Sequence, residues 1–223
     1  MMEPRSIRAV LFDLDGTLLD TAPDLVASLN HVRESEGLPG VAVEAYRKFA
    51  SQGAVGLIRA GLAAGAAELE EARQVRFLEH YARNICVGTR PFDGVERLLE
   101  RLETAAIPWV IVTNKPEYLT LPLLDRLGWS RRPAGVVCGD TISQRKPHPA
   151  PLLLACQMGG VDPGHAVMVG DDARDLEAAD AAGIPAVLAA YGYGAGAVLE
   201  AGIRVGPVVQ EPAELLELLL LAG

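Results

Sequence analysis

The stretch Asp13-Leu14-Asp15-Gly16-Thr17 puts two carboxylates two residues apart, on one side of an extended segment. Like charges held that close cost free energy unless a cation or a reaction uses them. One carboxylate can attack phosphorus while the other handles the proton. A turn carrying a helix cap is the plainer alternative, because Asp and Gly are turn residues. Three more polar clusters follow. Thr113-Asn114 offers a hydroxyl and an amide that suit a phosphate oxygen, or that simply cap the next helix. Lys146, followed by Pro147-His148-Pro149, can neutralise an anion as a point charge; a solvated surface lysine is the alternative. His148 has no metal-ligand spacing and reads as a bystander. Gly170-Asp171-Asp172-Ala173-Arg174-Asp175 holds acids suited to Mg²⁺, a hard cation that takes oxygen ligands. Helix capping accounts for one of these acids well and for three less well.

Each cluster comes just after an apolar run that reads as a strand: Ile7–Phe12, Trp109–Val112, Val136–Cys138 and Ala166–Val169. Helices Val95–Thr104, Glu117–Leu127, Ala150–Met158 and Ala173–Ala182 alternate with them. A strand at Ala186–Leu188 and an amphipathic helix from Pro212 follow. Such alternation predicts an α/β fold, a Rossmann-like doubly wound parallel sheet with both faces covered. Ligands bind such sheets at the carboxyl ends of the strands. Two carboxylates, a hydroxyl, a lysine and a metal-binding acid would then share one crevice. Phosphoryl transfer needs that set: a nucleophile, an acid/base, and positive charge on the non-bridging oxygens.

Residues 20–89 carry only helical patterning. Asp20 or Thr21 can cap a first helix, Pro23 suits its first turn, and Gly37 with Pro39 ends it. Val43–Ala50, Val55–Leu62 and Ala67–Ile85 read as further helices, with Gly53, Gly61 and Gly65 at the breaks. The expected organisation is an α/β core of residues 1–19 and 90–223 with an all-helical cap domain, residues 20–89, inserted after the first strand. Hinges are expected at Thr17 to Thr21 and Thr89 to Pro91.

Half of the 223 residues are apolar and 22% are charged, enough for a sizeable core and too apolar for a disordered chain. The net charge of −9 disfavours non-specific binding to nucleic acid or anionic membrane. Cys86, Cys138 and Cys156 form no CxxC pair, and read as buried thiols in a reducing compartment. The longest apolar stretch, Leu215 to Leu221, is broken by Glu217 and is too short to span a bilayer. A cytoplasmic protein is expected, a monomer or homodimer acting on a small phosphorylated metabolite.

The order Asp13-x-Asp15-Gly16-Thr17, Thr113-Asn114, Lys146-Pro147 and Gly170-Asp171-x-x-x-Asp175 resembles the haloacid dehalogenase superfamily of phosphatases, over essentially the whole chain. The resemblance implies Asp13 as the nucleophile that becomes an aspartyl-phosphate. Asp15 would protonate the leaving alkoxide and then activate water. Thr113 and the Asn114 amide would hold the phosphoryl group, with Lys146 opposite. Asp13, the Asp15 carbonyl and Asp171 would ligate Mg²⁺, and Asp175 would orient Lys146 or a metal-bound water. Asp172 is an extra acid with no assigned role. A helical cap directly after the first motif marks the subgroup resembling phosphoglycolate phosphatase.

Asp15 favours phosphate-ester hydrolysis or the related sugar-phosphate mutase reaction. Mutases of the family carry a histidine early in the first cap helix, where Leu25 stands here, which counts against a mutase. By resemblance Ser51-Gln52-Gly53-Ala54 is the specificity loop, with Gly53 letting backbone amides approach an anion; an ordinary interhelical turn is the alternative. Arg59 is the nearest cation for a substrate carboxylate, or a solvent-exposed residue. Two substrates remain. One is 2-phosphoglycolate. The other is N-acetylmuramic acid 6-phosphate, because Leu19–Asp24, Thr113–Pro116, Pro151–Cys156 and Tyr191-Gly192-Tyr193 are similar to the phosphatases of cell-wall recycling that act on it. A non-catalytic binding module is a different class, and would be expected to lack one of the motif residues. A nucleotide-binding oxidoreductase is disfavoured, because Gly192-Tyr193-Gly194-Ala195-Gly196 comes late and lacks GxGxxG spacing; it reads as a flexible loop near the site.

Overall fold

The computed structural model describes residues 7–203 and 205–220, so the expected placement of residues 1–6, 204 and 221–223 in the core domain lies outside the described residues. The chain forms two compact units. One runs up to Leu19 and resumes at Pro91; the other is Asp20–Arg90.

β1 (Ala9–Phe12) opens the sheet of the first unit, and where the chain passes from one unit to the other β2 (Leu19–Asp20) pairs with β3 (Arg90–Pro91) as a separate two-stranded ribbon. In the second unit, α1 (Ala22–Ser35), α2 (Val43–Tyr46), a 3₁₀ helix at Arg47–Gln52, α3 (Gly53–Gly61) and α4 (Ala67–Arg83) follow one another. The chain then runs through α5 (Val95–Thr104), β4 (Trp109–Val112), α6 (Glu117–Arg126), β5 (Gly135–Val137) and α7 (Ala150–Met158). It finishes with β6 (Ala166–Gly170), α8 (Ala173–Ala182), β7 (Ala186–Ala189), α9 (Ala195–Glu200), β8 (Val208–Val209) and α10 (Pro212–Leu220).

The main sheet has the order β5-β4-β1-β6-β7-β8, and its neighbouring strands run parallel. Its central strands are apolar on both faces because both faces are covered. Leu11, Val110, Val112 and Met168 pack with Leu152, Ala155 and Cys156 of α7 and Ala178 and Ala179 of α8. Val10, Phe12, Ile111, Val167 and Val169 alternate with them and are equally buried. Burying each such side chain contributes about 1.5–3 kcal/mol. The doubly wound sheet expected from the alternation is therefore the one present.

The helical unit departs from expectation in one place. Val43–Ala50 and the following turn are not a helix and a loop. A short α-helix runs through 3₁₀ turns directly into α3, so Ser51 and Gln52 are helical. The β2–β3 ribbon, β8 and α9 have no counterpart in the sequence reading. A two-residue edge strand has no periodicity to read, and the glycines before Ala195 masked the start of a short helix.

Candidate active site

Strands β4, β1 and β6 are neighbours and parallel, so the residues that follow them emerge at one rim. The register is held past the strand ends: Asp13 donates its N–H to Val169 O at 3.0 Å, and Thr113 donates to Val137 O at 2.9 Å. Asp13, Thr113 and Asp171 are placed together in this way, although two long stretches of chain separate them.

Lys146 joins them from the loop after β5. It is 4% exposed, which rules out the solvated alternative. Its Nζ lies 2.7 Å from Asp13 Oδ1 and 2.6 Å from Asp175 Oδ1, and donates to Val112 O at 2.5 Å. All three ammonium protons therefore have acceptors. The Asn114 side chain holds the lysine's backbone from both sides. Its Nδ2 donates to Lys146 O at 2.8 Å, and its Oδ1 accepts from Lys146 N at 3.0 Å. This side-chain amide is thus a clamp on the lysine loop. The Thr113 hydroxyl accepts from Lys115 N at 3.1 Å.

Asp171 is fully buried at the end of β6. Thr17 Oγ1 donates to its Oδ1 at 3.0 Å, and Gly194 N donates to its Oδ2 at 2.8 Å. Two glycines let the chain close on it. Gly16 sits at φ +96°, where L side chains are strained, and a Cβ there would run into the Asp171 carboxyl; a Cβ at Gly192 would strike Asp171 and Gly16 O. The Gly192–Gly196 segment is therefore packed against the first and fourth motifs. Tyr191 adds a hydroxyl that donates to Thr17 O at 3.0 Å.

Asp172 has a different task. It caps α8, accepting from Arg174 N at 3.0 Å, while Asp175 Oδ2 accepts from Asp172 N at 3.1 Å in a capping box. Arg174 Nε also pairs with Asp172 Oδ1 at 2.7 Å. Burial would raise the Asp172 carboxyl, but Arg174 outweighs it and holds the group below its ordinary range. The helix-cap reading is thus correct for this acid. Asp175 serves both arrangements, capping with Oδ2 and pairing with Lys146 through Oδ1.

Oxygen atoms of Asp13, Asp171 and Asp175 all lie within 4.8 Å of one another. Burial pushes the Asp13 carboxyl up to about 7 against the pull of Lys146, with Asp175 and Asp15 adding to the rise. Burial, then the charges of Asp13 and Asp175, drive Asp171 well above the usual carboxylate range. Burial alone would lower Lys146, but Asp13 and Asp175 reverse that and raise it. With all three carboxylates ionised, the state a bound cation would favour, they exceed the one lysine by two negative charges. A divalent cation balances that excess, and an all-oxygen donor set suits a hard one. The residues present therefore fit Mg²⁺.

Asp15 points its carboxylate at Lys115, whose Nζ lies 3.0 Å from Oδ1 and 3.3 Å from Oδ2. Lys115, Thr17 and Gly194 lie in stretches the sequence reading quotes, but it assigns none of them a role in the site that their contacts show. A visible signal existed for Lys115, which directly follows Thr113-Asn114 at a strand end. His148 is exposed and accepts from Ala150 N at 3.1 Å, a local helix-start contact. Gly53 and Arg59 belong to the helical unit. Gly53 has φ +64° and opens α3. Arg59 is exposed near the end of α3, beside a cavity of about 230 Å³ that Val55, Ile58, Leu62 and Glu70 also line.

Residues 7–183 match the family model for haloacid dehalogenase-like hydrolases. A phosphoglycolate phosphatase of Xanthomonas campestris is 44% identical over 210 residues, covering 94% of this chain and 95% of that protein. An N-acetylmuramic acid 6-phosphate phosphatase of Pseudomonas aeruginosa is 40% identical over 220 residues, covering 98% and 97%. The crystal structure of a predicted phosphoglycolate phosphatase from Haemophilus somnus superposes with a TM-score of 0.82 at 26% identity, covering 98% of this chain and 99% of that one. No helix among the described residues is long and apolar enough to cross a membrane.

Proposed function

The chain belongs to the haloacid dehalogenase-like hydrolases, and from that membership we propose that it hydrolyses a small phosphate monoester through a phosphoryl group carried transiently on Asp13. The observation that carries this reading is the setting of Asp13. It is a buried carboxylate gripped by Lys146 at 2.7 Å, beside two further buried acids, Asp171 at the end of β6 and Asp175 in the first turn of α8.

In the first half-reaction an Asp13 oxygen attacks phosphorus, and the bond from phosphorus to the ester oxygen breaks. Asp15, two residues on, gives its proton to the departing alkoxide. In the second half a water attacks the aspartyl-phosphate, and Asp15 takes the water's proton, which restores both residues. Lys146 holds Asp13 in one orientation and presents positive charge to the phosphoryl oxygens. Thr113 supplies a hydroxyl at the same rim. Asn114 acts through the lysine loop that it clamps, and Asp175 keeps the lysine aimed. Asp13, the Asp15 carbonyl and Asp171 would hold Mg²⁺, which when bound supplies electrostatic stabilisation to the phosphoryl group.

A 2-phosphoglycolate-type substrate is the first reading, supported by relatives of that name at 44% identity. N-Acetylmuramic acid 6-phosphate is the second, favoured by a relative of that name aligned along 98% of this chain. Three free cysteines agree with a cytoplasmic setting. The test is Mg²⁺-dependent release of phosphate from p-nitrophenyl phosphate and from both named esters, ranked by kcat/KM. Asp13→Asn is expected to lose about 10⁴-fold or more in kcat. Undiminished turnover in that variant would falsify the mechanism.

A further inference from the structure

Asp171 has a donor on each carboxylate oxygen. Thr17 Oγ1 donates to Oδ1 at 3.0 Å, and Gly194 N donates to Oδ2 at 2.8 Å. Both donors are buried. Behind Thr17 stands Tyr191, whose hydroxyl donates to Thr17 O at 3.0 Å. No step of the hydrolysis uses this tyrosine.

Thr17 lies in a tight turn. Leu14 O accepts from Leu18 N at 3.1 Å and from Leu19 N at 2.9 Å, and Gly16 at φ +96° lets the chain reverse. The peptide between Thr17 and Leu18 is therefore held from two sides, by Leu14 O at its N–H and by Tyr191 at its carbonyl. Fixing that peptide fixes the direction in which the Thr17 side chain leaves the backbone, and so aims its hydroxyl at Asp171. Tyr191 is itself braced. It directly follows the β7–β8 pair, where Ala190 N donates to Val209 O at 2.8 Å and Gly192 N to Ala189 O at 3.0 Å. Its ring meets Phe92 edge-on, with centroids 5.3 Å apart.

On the reading that Asp171 holds Mg²⁺, we propose that Tyr191 is a positioning residue for the metal ligand. Its hydroxyl holds Thr17, Thr17 holds Asp171, and these two hydrogen bonds in series set the affinity for the ion. A carboxylate oxygen has two acceptor directions, so Thr17 occupies one on Oδ1 and leaves the other. A carboxylate pinned at both oxygens cannot turn, and a cation need not order it on binding. Partners behind a metal ligand tune affinity in this way. Tyr193 supplies an internal comparison. Its ring also lies beside Phe92, at 6.3 Å, but its hydroxyl is directed at Leu19 O, 3.5 Å away.

The full chain is titrated with Mg²⁺ at constant ionic strength, and melting temperature and phosphatase activity are both followed. Tyr191→Phe removes the hydroxyl and keeps the ring. Its Mg²⁺ dissociation constant is expected to rise about 10-fold, and activity lost at low Mg²⁺ should return as Mg²⁺ is raised. Tyr193→Phe is expected to bind Mg²⁺ within about 2-fold of wild type. Thr17→Val should weaken binding about 10-fold or more, and Thr17→Ser, which keeps a hydroxyl, should recover most of the loss. Because Tyr191 acts through Thr17, adding Tyr191→Phe to Thr17→Val should cost less than about 3-fold more. Losses that multiply to roughly 100-fold in the double variant overturn the relay. So does an unchanged dissociation constant in Tyr191→Phe. A lower melting temperature whose rise on adding Mg²⁺ matches that of wild type marks the hydroxyl as structural, and also overturns it. If Thr17→Val does not fold, as judged by circular dichroism, Thr17→Ala takes its place. A wild type that Mg²⁺ neither stabilises nor activates removes the metal reading itself, and this inference with it. A wild type that binds Mg²⁺ no better than Tyr191→Phe leaves that reading standing and strikes the inference alone.

Discussion

Each of the two units buries charge, and they do so in opposite ways. In the helical unit Arg73 is 5% exposed, and its guanidinium meets Glu36 at 2.6 Å, Glu70 at 2.7 Å and the Ala63 carbonyl at 2.8 Å. Asp24 in the same unit accepts from Gly88 N, Thr89 N and Thr89 Oγ1. Both of these buried charges have complementary groups built into the fold, and Glu36 is held low by its hydrogen bond to Arg73. In the core unit Asp13, Asp171 and Asp175 crowd one lysine, and burial drives Asp13 and Asp171 upward. The difference separates two kinds of buried charge. Matched charge holds elements together, whereas a surplus of one sign is kept at a cost in stability and belongs to a ligand or a reaction.

The largest effect that would sharpen this contrast is a trade. Asp171→Asn should lower kcat about 10³-fold, from the several kcal/mol a bound metal contributes, and yet raise the melting temperature of the metal-free protein. The sign follows from the raised carboxyl. A group whose folded value lies above its unfolded one stabilises the fold at acid pH, and that contribution is lost as pH rises through the folded value. Asn cannot ionise, so the variant's advantage in EDTA should grow from pH 5 to pH 8. Mg²⁺ should then cancel the advantage by stabilising the wild type alone. Thermal melts at both pH values, with and without Mg²⁺, check it. A variant less stable than wild type in EDTA at pH 8 would mean that Asp171 is structural, and the contrast between the units would fail.

Arg73 should behave in the reverse manner. Arg73→Met strands two partly exposed acids, and should lower the melting temperature by roughly 5 °C. Mg²⁺-dependent phosphatase activity below the transition should stay within about 2-fold of wild type, because additivity holds for independent sites. A selective loss of activity at unchanged stability would show that matched charge can also be catalytic.

The same division explains what the sequence made legible. Runs such as Val10–Phe12, Trp109–Val112 and Val167–Val169 are apolar at every position because both sheet faces are covered, and polar residues follow each at once. Pattern and chemistry therefore coincide there, and the sheet and the grouping of Asp13, Thr113 and Asp171 could be read. The pairing of Lys115 could not, because its partner Asp15 is 100 residues away, although its place directly after Thr113-Asn114 marked it as a neighbour of the site. The helical unit was readable only as helices. The 3₁₀ path at Arg47–Gln52 shares its apolar spacing with an α-helix, and the partners of Arg73 depend on how three helices meet. Asp172 lay between these cases, one of three acids in a run of five residues, and local sequence did not separate cap from ligand.

The smallest expected effect separates them. Asp172 accepts from Arg174 N and pairs with the Arg174 side chain, while its own N–H is held by Asp175. Asp172→Ala removes the cap acceptor and should cost about 1 kcal/mol, or roughly 3 °C in melting temperature. The backbone bond to Asp175 survives the substitution, so Asp175 can still reach Lys146, and kcat should fall by less than about 10-fold. The loss of a metal ligand would be far larger, as proposed for Asp171. Thermal melts and Mg²⁺ titrations of activity on the two variants side by side give the comparison. If Asp172→Ala instead weakens Mg²⁺ activation as strongly as Asp171→Asn, the acid beside Arg174 belongs to the charge surplus of the core, and charge pairing with a neighbour does not by itself mark a residue as structural.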